Sequence, residues 1–272
     1  MIVAQISDTH IALDVPDGAR RIDDFERTIA DINALDPAPD VIVHTGDIAH
    51  NGRADEYAEA ARIVAGAKPP VYVIPGNKDD RANLRAAFAG CGYIGRDSEF
   101  IDYAVEDHPI RLIAVDTKSA QSNKGDFCDA RAKRLIDMID AETTKPIVVI
   151  THHPPFEVPV GPDALNFVSE DKIERIRNVL QHSHRVVAVL SGHVHRGTAG
   201  CVGTARAVVV PCIATNLRRG DYPPSMKRRP VYHLYRFDPD GSFAAEARIV
   251  AAEPSLEPTS PPPVLRHGLE AR

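Results

Sequence analysis

Val41-Ile42-Val43-His44-Thr45-Gly46-Asp47 sets the pattern on which the fold is read. A short apolar run of strand length breaks into a tight polar turn that carries a carboxylate. Apolar positions at helical spacing follow over 55–67, and Pro69 and Pro70 close that helix. Upstream, the apolar run 1–6 ends at Asp8 and His10, and Ile22, Phe25, Ile29 and Ile32 mark a helix over 21–35. Downstream, the run 71–74 stops at Pro75-Gly76-Asn77-Lys78-Asp79, with a further helix expected near Arg81. The run 146–150 stops at Thr151-His152-His153-Pro154, and 186–190 at Ser191-Gly192-His193-Val194-His195. Repetition of strand, polar cluster and helix is βα grammar, and it predicts parallel strands.

The intervening segments supply short strands at 100–105 and 110–115 and helices at 129–141 and 170–182. Beyond His195, strands at 207–211, 230–237 and 243–250 read as an antiparallel meander. The stretch 251–272, with Pro254, Pro258 and Pro261 to Pro263, has no apolar period and reads as a loose tail behind a domain spanning 1–250.

Composition narrows the classes. The 272 residues are 43% hydrophobic and 26% charged, with no apolar run near the ~18 residues that a membrane span needs. The apolar start meets Asp8 without a basic leader, so it reads as mature structure. Cys91, Cys128, Cys201 and Cys212 are widely spaced, and the expectation is buried reduced thiols in a cytoplasmic protein. A net charge of −6 with only local basic clusters disfavours long nucleic acid as partner. Self-association into a homo-oligomer is left open.

Taken singly, the polar clusters are weak signals, since Asp8 alone reads as a turn residue. Taken together they are not. Asp8-x-His10, Gly46-Asp47, Gly76-Asn77-x-Asp79, His152-His153-Pro154 and Gly192-His193-x-His195 all lie just past strand ends, where open α/β sheets gather their sites. Carboxylates and imidazoles crowded in that way are costly to bury but favourable around divalent cations. Seven ligands exceed one tetrahedral site, and a shared carboxylate suits two cations about 3.5–4 Å apart. Such a pair lowers the pKa of a bridging water and neutralises phosphoryl oxygens, which points to phosphoester hydrolysis by a bridging hydroxide.

These motifs resemble the calcineurin-like metallophosphoesterase superfamily, whose ordered pattern is matched from Asp8 to His195. Residues 75–81 and 152–155 are most similar to class III cyclic nucleotide phosphodiesterases and the related glycerophosphodiesterases. The resemblance implies a metal-dependent phosphodiesterase acting on small diesters: cyclic nucleotides, other cyclic phosphates or glycerophosphodiesters. It implies that Asp8, His10, Asp47 and His195 hold one metal and that Asn77, His152 and His193, with bridging Asp47, hold the other. Iron, manganese and zinc all suit this mixed N/O ligation. The expected fold is an α/β four-layer αββα sandwich of two mixed sheets flanked by helices. Alternatives are a phosphomonoesterase of the same fold and a non-catalytic metal-binding scaffold.

Lys78 departs from the family pattern, standing where histidine is usual. A lysine there keeps a cationic donor for the substrate phosphate but changes its reach and basicity. Catalytic roles are therefore expected for Lys78, Asp47 and Asn77, and substrate contacts for Lys78, His153 and His50. His153 reads as a partner that orients a ligand or touches phosphate, and His44 as a hydrogen-bonded core histidine. His182 and His184 read as helix-end residues, Asp79 and Asp80 as helix caps, and Lys227 to Arg229 as a solvated loop.

Overall fold

The computed structural model describes residues 1–95, 98–158 and 166–252. Its first half runs β1 (Ile2–Ile6), α1 (Gly18–Asn33), β2 (Val41–His44), α2 (Ala54–Val64), β3 (Val71–Val73) and α3 (Arg81–Ala87). The second half runs β4 (Tyr103–Val105), β5 (Arg111–Val115), α4 (Asp129–Asp140), β6 (Ile147–Thr151), α5 (Glu170–Leu180), β7 (Val186–Ser191), β8 (Thr198–Val202), β9 (Ala205–Val209), β10 (Val231–Phe237) and β11 (Phe243–Ile249).

The strands form two mixed sheets, ordered β11-β10-β1-β2-β3 and β4-β5-β6-β7-β9-β8. In the first, β1, β2 and β3 are parallel, and β10 is antiparallel to β1. In the second, β5, β6, β7 and β9 are parallel, while β4 and β8 are antiparallel edges. The parallel strands are mostly apolar and buried along their length because they are covered on both faces. In β5, alternate side chains divide between two cores. Leu112 and Ala114 pack with Ile42, Val73 and Leu234 of the first sheet, whereas Ile113 and Val115 pack with Leu135 and Ile139 of α4 and Ile173 and Ile176 of α5. Phe25, Ile29 and Ile32 of α1 cover the other face of the first sheet. The layer order is helices, sheet, sheet, helices, as expected.

The late meander is corrected. Strand β9 belongs to the second sheet, beside β7, and of the three expected meander strands β10 and β11 pair antiparallel in the first sheet. The sequence reading missed β8, an edge strand whose Thr-Ala-Gly-Cys-Val lacks a sustained apolar alternation. The cysteines are all free, but only Cys212 is buried, while Cys91 and Cys201 are exposed. Helix α5 ends at Leu180, so His182 and His184 lie beyond it, His182 3.5 Å from Asp140. No helix among the described residues is long and apolar enough to cross a membrane. The expected tail, from 253 onward, lies outside the described residues.

Candidate metal centre

The carboxyl ends of β1, β2, β3, β6 and β7 meet at one edge of the sandwich. Asp8, His10, Asp47 and His195 bring ligand atoms within 4.8 Å of one another, and His152, His153 and His193 form a second such group. Among the described residues, those other than glycine with positive φ are Asp8 (55°), His10 (44°), Asp47 (53°), His193 (73°) and His195 (58°). Such backbone is unfavourable by about 1–3 kcal/mol per residue and persists only where the surroundings impose it. The surroundings here are the loops themselves: Asp8 N donates to Gly46 O (2.9 Å), His10 N to Asp47 O (3.0 Å) and His193 N to Asp8 Oδ2 (3.0 Å). Gly76 allows the third loop to close in, since a Cβ there would overlap Asp47 Oδ1.

Imidazole tautomers follow from outer partners. His195 Nδ1 lies 3.1 Å from Leu217 O, so it carries the proton and Nε2 is left facing inward. That Nε2 is 3.0 Å from His10 Nε2 and 3.3 Å from Asp8 Oδ1, a buried oxygen with no hydrogen-bond partner. His152 Nδ1 donates to Thr45 O (2.7 Å), which turns its Nε2 lone pair toward Asn77 Oδ1 at 3.1 Å. His193 Nδ1 lies 2.9 Å from the same oxygen. Lone pairs facing lone pairs at such distances repel unless a cation or a proton lies between them. The Asp47 carboxylate spans both groups, with Oδ2 3.6 Å from His10 Nε2 and Oδ1 3.5 Å from His152 Nε2. The donor set, its orientation and its orphaned oxygen fit a pair of divalent cations.

Protons stand in when metal is absent. Burial disfavours charge on His195, but the Asp8 carboxylate outweighs it and raises the pKa to about 11. Burial likewise works against ionised Asp8, yet His195, with His152 and His10, holds it far below the usual carboxylate range. Burial and the neighbouring Asp8 push Asp47 up to about 7. Burial, followed by the like charge of His152, lowers His193 to about 3.

The remaining expected residues separate by geometry. His153 has both nitrogens engaged: Nε2 donates to Asn123 O (3.2 Å) and Nδ1 accepts from Thr117 Oγ1 (2.8 Å). With no nitrogen left over, it supports the His193 ring 4.5 Å away rather than offering a lone pair. Lys78 is half-buried and donates its backbone N–H to Asp47 Oδ1 (2.7 Å), and its ammonium has no partner among the described residues. His50 lies 5.6 Å from the His10 ring, and its buried Nδ1 is unpartnered. His44 is a core histidine bonded through Nε2 to Thr9 Oγ1 (3.0 Å).

Of the two expected caps, only Asp80 acts as one, accepting from Asn83 N (2.9 Å). Asp79 instead ties loops together, accepting from Gly76 N (2.8 Å), Ala49 N (3.0 Å), Ile48 N (3.1 Å) and Tyr57 Oη (2.8 Å). Its burial leaves no room for a solvent-exposed cap.

Sequence reading also missed the loop after β5. Lys118 Nζ holds Asn77 O (2.9 Å), and Arg81 and Arg131 both clamp Lys118 O, at 2.7 and 2.8 Å. The signal was present: Asp116-Thr117-Lys118 is a polar cluster at a strand end, like the five singled out.

The geometry agrees with what the chain is similar to. The family model for calcineurin-like phosphoesterases matches residues 1–197. A probable glycerophosphodiester phosphodiesterase GpdQ from Arcobacter nitrofigilis is 31% identical over 199 residues, covering 72% of each chain. A 3',5'-cyclic adenosine monophosphate phosphodiesterase CpdA from Pseudomonas aeruginosa is 24% identical over 247 residues, covering 89% of this chain and 87% of that protein. A dimetal phosphatase from Danio rerio shares the fold, with a TM-score of 0.66 at 14% identity, over 92% of this chain and 96% of that one. A family match over residues 1–197, together with the relative at 31% identity, establishes that the chain belongs to the calcineurin-like phosphoesterase family.

Proposed function

We propose that the protein hydrolyses small phosphodiesters with two metal ions held at the edge of the sandwich. Asp47 carries the reading: one carboxylate lies between two ligand groups, 3.6 Å from His10 and 3.5 Å from His152. Asp8, His10 and His195 would complete one site, and Asn77, His152 and His193 the other, with iron, manganese or zinc as candidates. Bound there, the cations would supply Lewis acidity to the phosphoryl oxygens and lower the pKa of water between them.

The protein's own groups do the rest. Lys78 offers a charged donor to a non-bridging phosphate oxygen, and His50 offers an unpartnered imidazole nitrogen beside it. Lys118 and Asn123 fix Asn77 from behind, through its carbonyl and its side-chain amide (3.4 Å). His153 stiffens the second histidine group. The diesterase names of the relatives from Arcobacter nitrofigilis and Pseudomonas aeruginosa support the substrate class. In this reading residues 1–250 form the catalytic domain and 251–272 a tail.

The ratio of kcat/KM for bis- and mono-p-nitrophenyl phosphate tests the assignment. Preference for the diester is expected, and preference for the monoester would replace the reading with a phosphomonoesterase. Two bound metals without turnover of either would indicate a scaffold. Asp47→Ala is expected to be the most damaging ligand change, and full activity with both metals retained would overturn the centre.

A further inference from the structure

Lys227 to Arg229 read in sequence as a solvated loop, yet they belong to a segment, 216–229, whose start the fold brings against His195 of the metal centre. Leu217 O accepts from His195 Nδ1 (3.1 Å), and Arg219 N donates to His195 O (2.9 Å). In a chain of net charge −6, this stretch carries Arg218, Arg219, Lys227, Arg228 and Arg229 against Asp221 alone. A local excess of one sign on an oppositely charged protein marks a place where charge is used.

The loop has a built interior. Arg218 is half-buried, donates to Arg229 O (2.7 Å) and Met226 O, and lies 4.2 Å over the Tyr222 ring, which folds the chain back on itself. Gly220, with φ of 110°, makes the turn, and a Cβ there would sit 3.7 Å from Arg196 Nε, so Arg196 lies alongside. The result is a cavity of about 220 Å³ lined by Thr215, Arg218, Gly220, Tyr222 and Lys227. The carboxylate behind it, Asp24, is occupied by Thr215 N and Oγ1 (2.9 and 2.8 Å) and lies 3.7 Å from Arg20. Lys227 and Arg196 are exposed and have no side-chain partner among the described residues.

We infer that this cavity is a subsite for a second anionic group of the substrate, a carboxylate or phosphate on one arm of the diester. The inference rests on the diesterase reading above. The space is too small for a whole drug-sized ligand, which needs about 300 Å³ or more, but suits one charged group on a short arm. Arg218 and Tyr222 would fix its position, while Lys227 and Arg196 would contribute charge from the rim.

A matched pair of chromogenic diesters tests this: ethyl p-nitrophenyl phosphate and 2-carboxyethyl p-nitrophenyl phosphate, which differ by one carboxylate. The ratio of their kcat/KM values should favour the carboxylate in the native protein. It should fall about tenfold in Lys227→Ala and further in Lys227→Glu, and persist in Lys227→Arg, as for loss of one charged contact. Added salt should lower the native ratio, because the contact is exposed. Turnover of both diesters with the same ratio in the native protein and Lys227→Glu would overturn the subsite alone. Failure of the native protein to cleave either would overturn the diesterase reading and the subsite with it.

Discussion

At the scale of single residues, the centre is defined by which imidazole nitrogen is free. Thr45 O and Leu217 O each take the Nδ1 proton of a histidine, and this aims His152 and His195 Nε2 inward. Without metal, the same groups retain protons: His195 with a pKa of about 11 and Asp47 of about 7. Metal ligands must be deprotonated, so metal uptake at pH 6 should release protons and the affinity should rise with pH. Calorimetric titration of the metal-free protein with manganese, in two buffers of different ionisation enthalpy, should show that release; identical heats would count against the ligand set. Lys78 is the residue at which this chain departs from its family pattern. Lys78→Ala should lower kcat by about 10- to 1000-fold with metal content unchanged, as for one preorganised donor. Lys78→His should restore activity and move its pH optimum down, because imidazole titrates near neutrality. Unchanged kinetics in Lys78→Ala would place the ammonium away from substrate.

At the scale of elements, strands deliver the ligands and the loops behind them must interlock. Asp79 joins the turns after β2 and β3, and Gly76 lets the second of them approach Asp47. Gly76→Ala should push that turn away from Asp47 and weaken binding of one metal more than the other, which stepwise metal titration would resolve; two equal, native affinities would refute it. On β10, away from the centre, burial holds His233 at a pKa of about 4. The unfolded chain binds this proton from about pH 6.5 downward and the folded one only near 4, so acid costs stability across that window. The cost approaches about 3 kcal/mol, at 1.36 kcal/mol per pH unit. His233→Gln should therefore gain stability over the native protein as pH falls from 6.5 to 4, measured by urea unfolding in chelator. A difference independent of pH would show that His233 titrates alike in both states.

At the scale of the whole molecule, the first sheet joins β1 to β3 from the first half of the chain with β10 and β11 from the second, and the two packed sheets share one edge at the metal centre. Truncation after Ala252 should leave turnover of a small chromogenic diester within about twofold, since a proline-rich segment has little apolar surface to bury; loss of turnover in a folded truncate would make residues 253–272 part of the site. The sequence by itself determined the alternation of strand and helix, the boundaries of β2 and most helices to within a few residues, and the seven candidate ligands. Those features are local: apolar period, helix-closing prolines, and polar clusters at strand ends. Partner strands were not determined that way, because β9 and β10 read alike as short apolar runs and only packing sends one beside β7 and the other beside β1. The family resemblance alone prefers His152 to His153 as a ligand; the physical difference lies in what their second nitrogens meet, Thr45 in one case and Thr117 in the other, which only the fold decides. The positive φ of five candidate ligands, the Lys118 brace on Asn77 and the cavity lined by Arg218 and Lys227 belong to tertiary structure for the same reason. Each depends on residues far apart in the chain being held within hydrogen-bond reach by the two packed sheets.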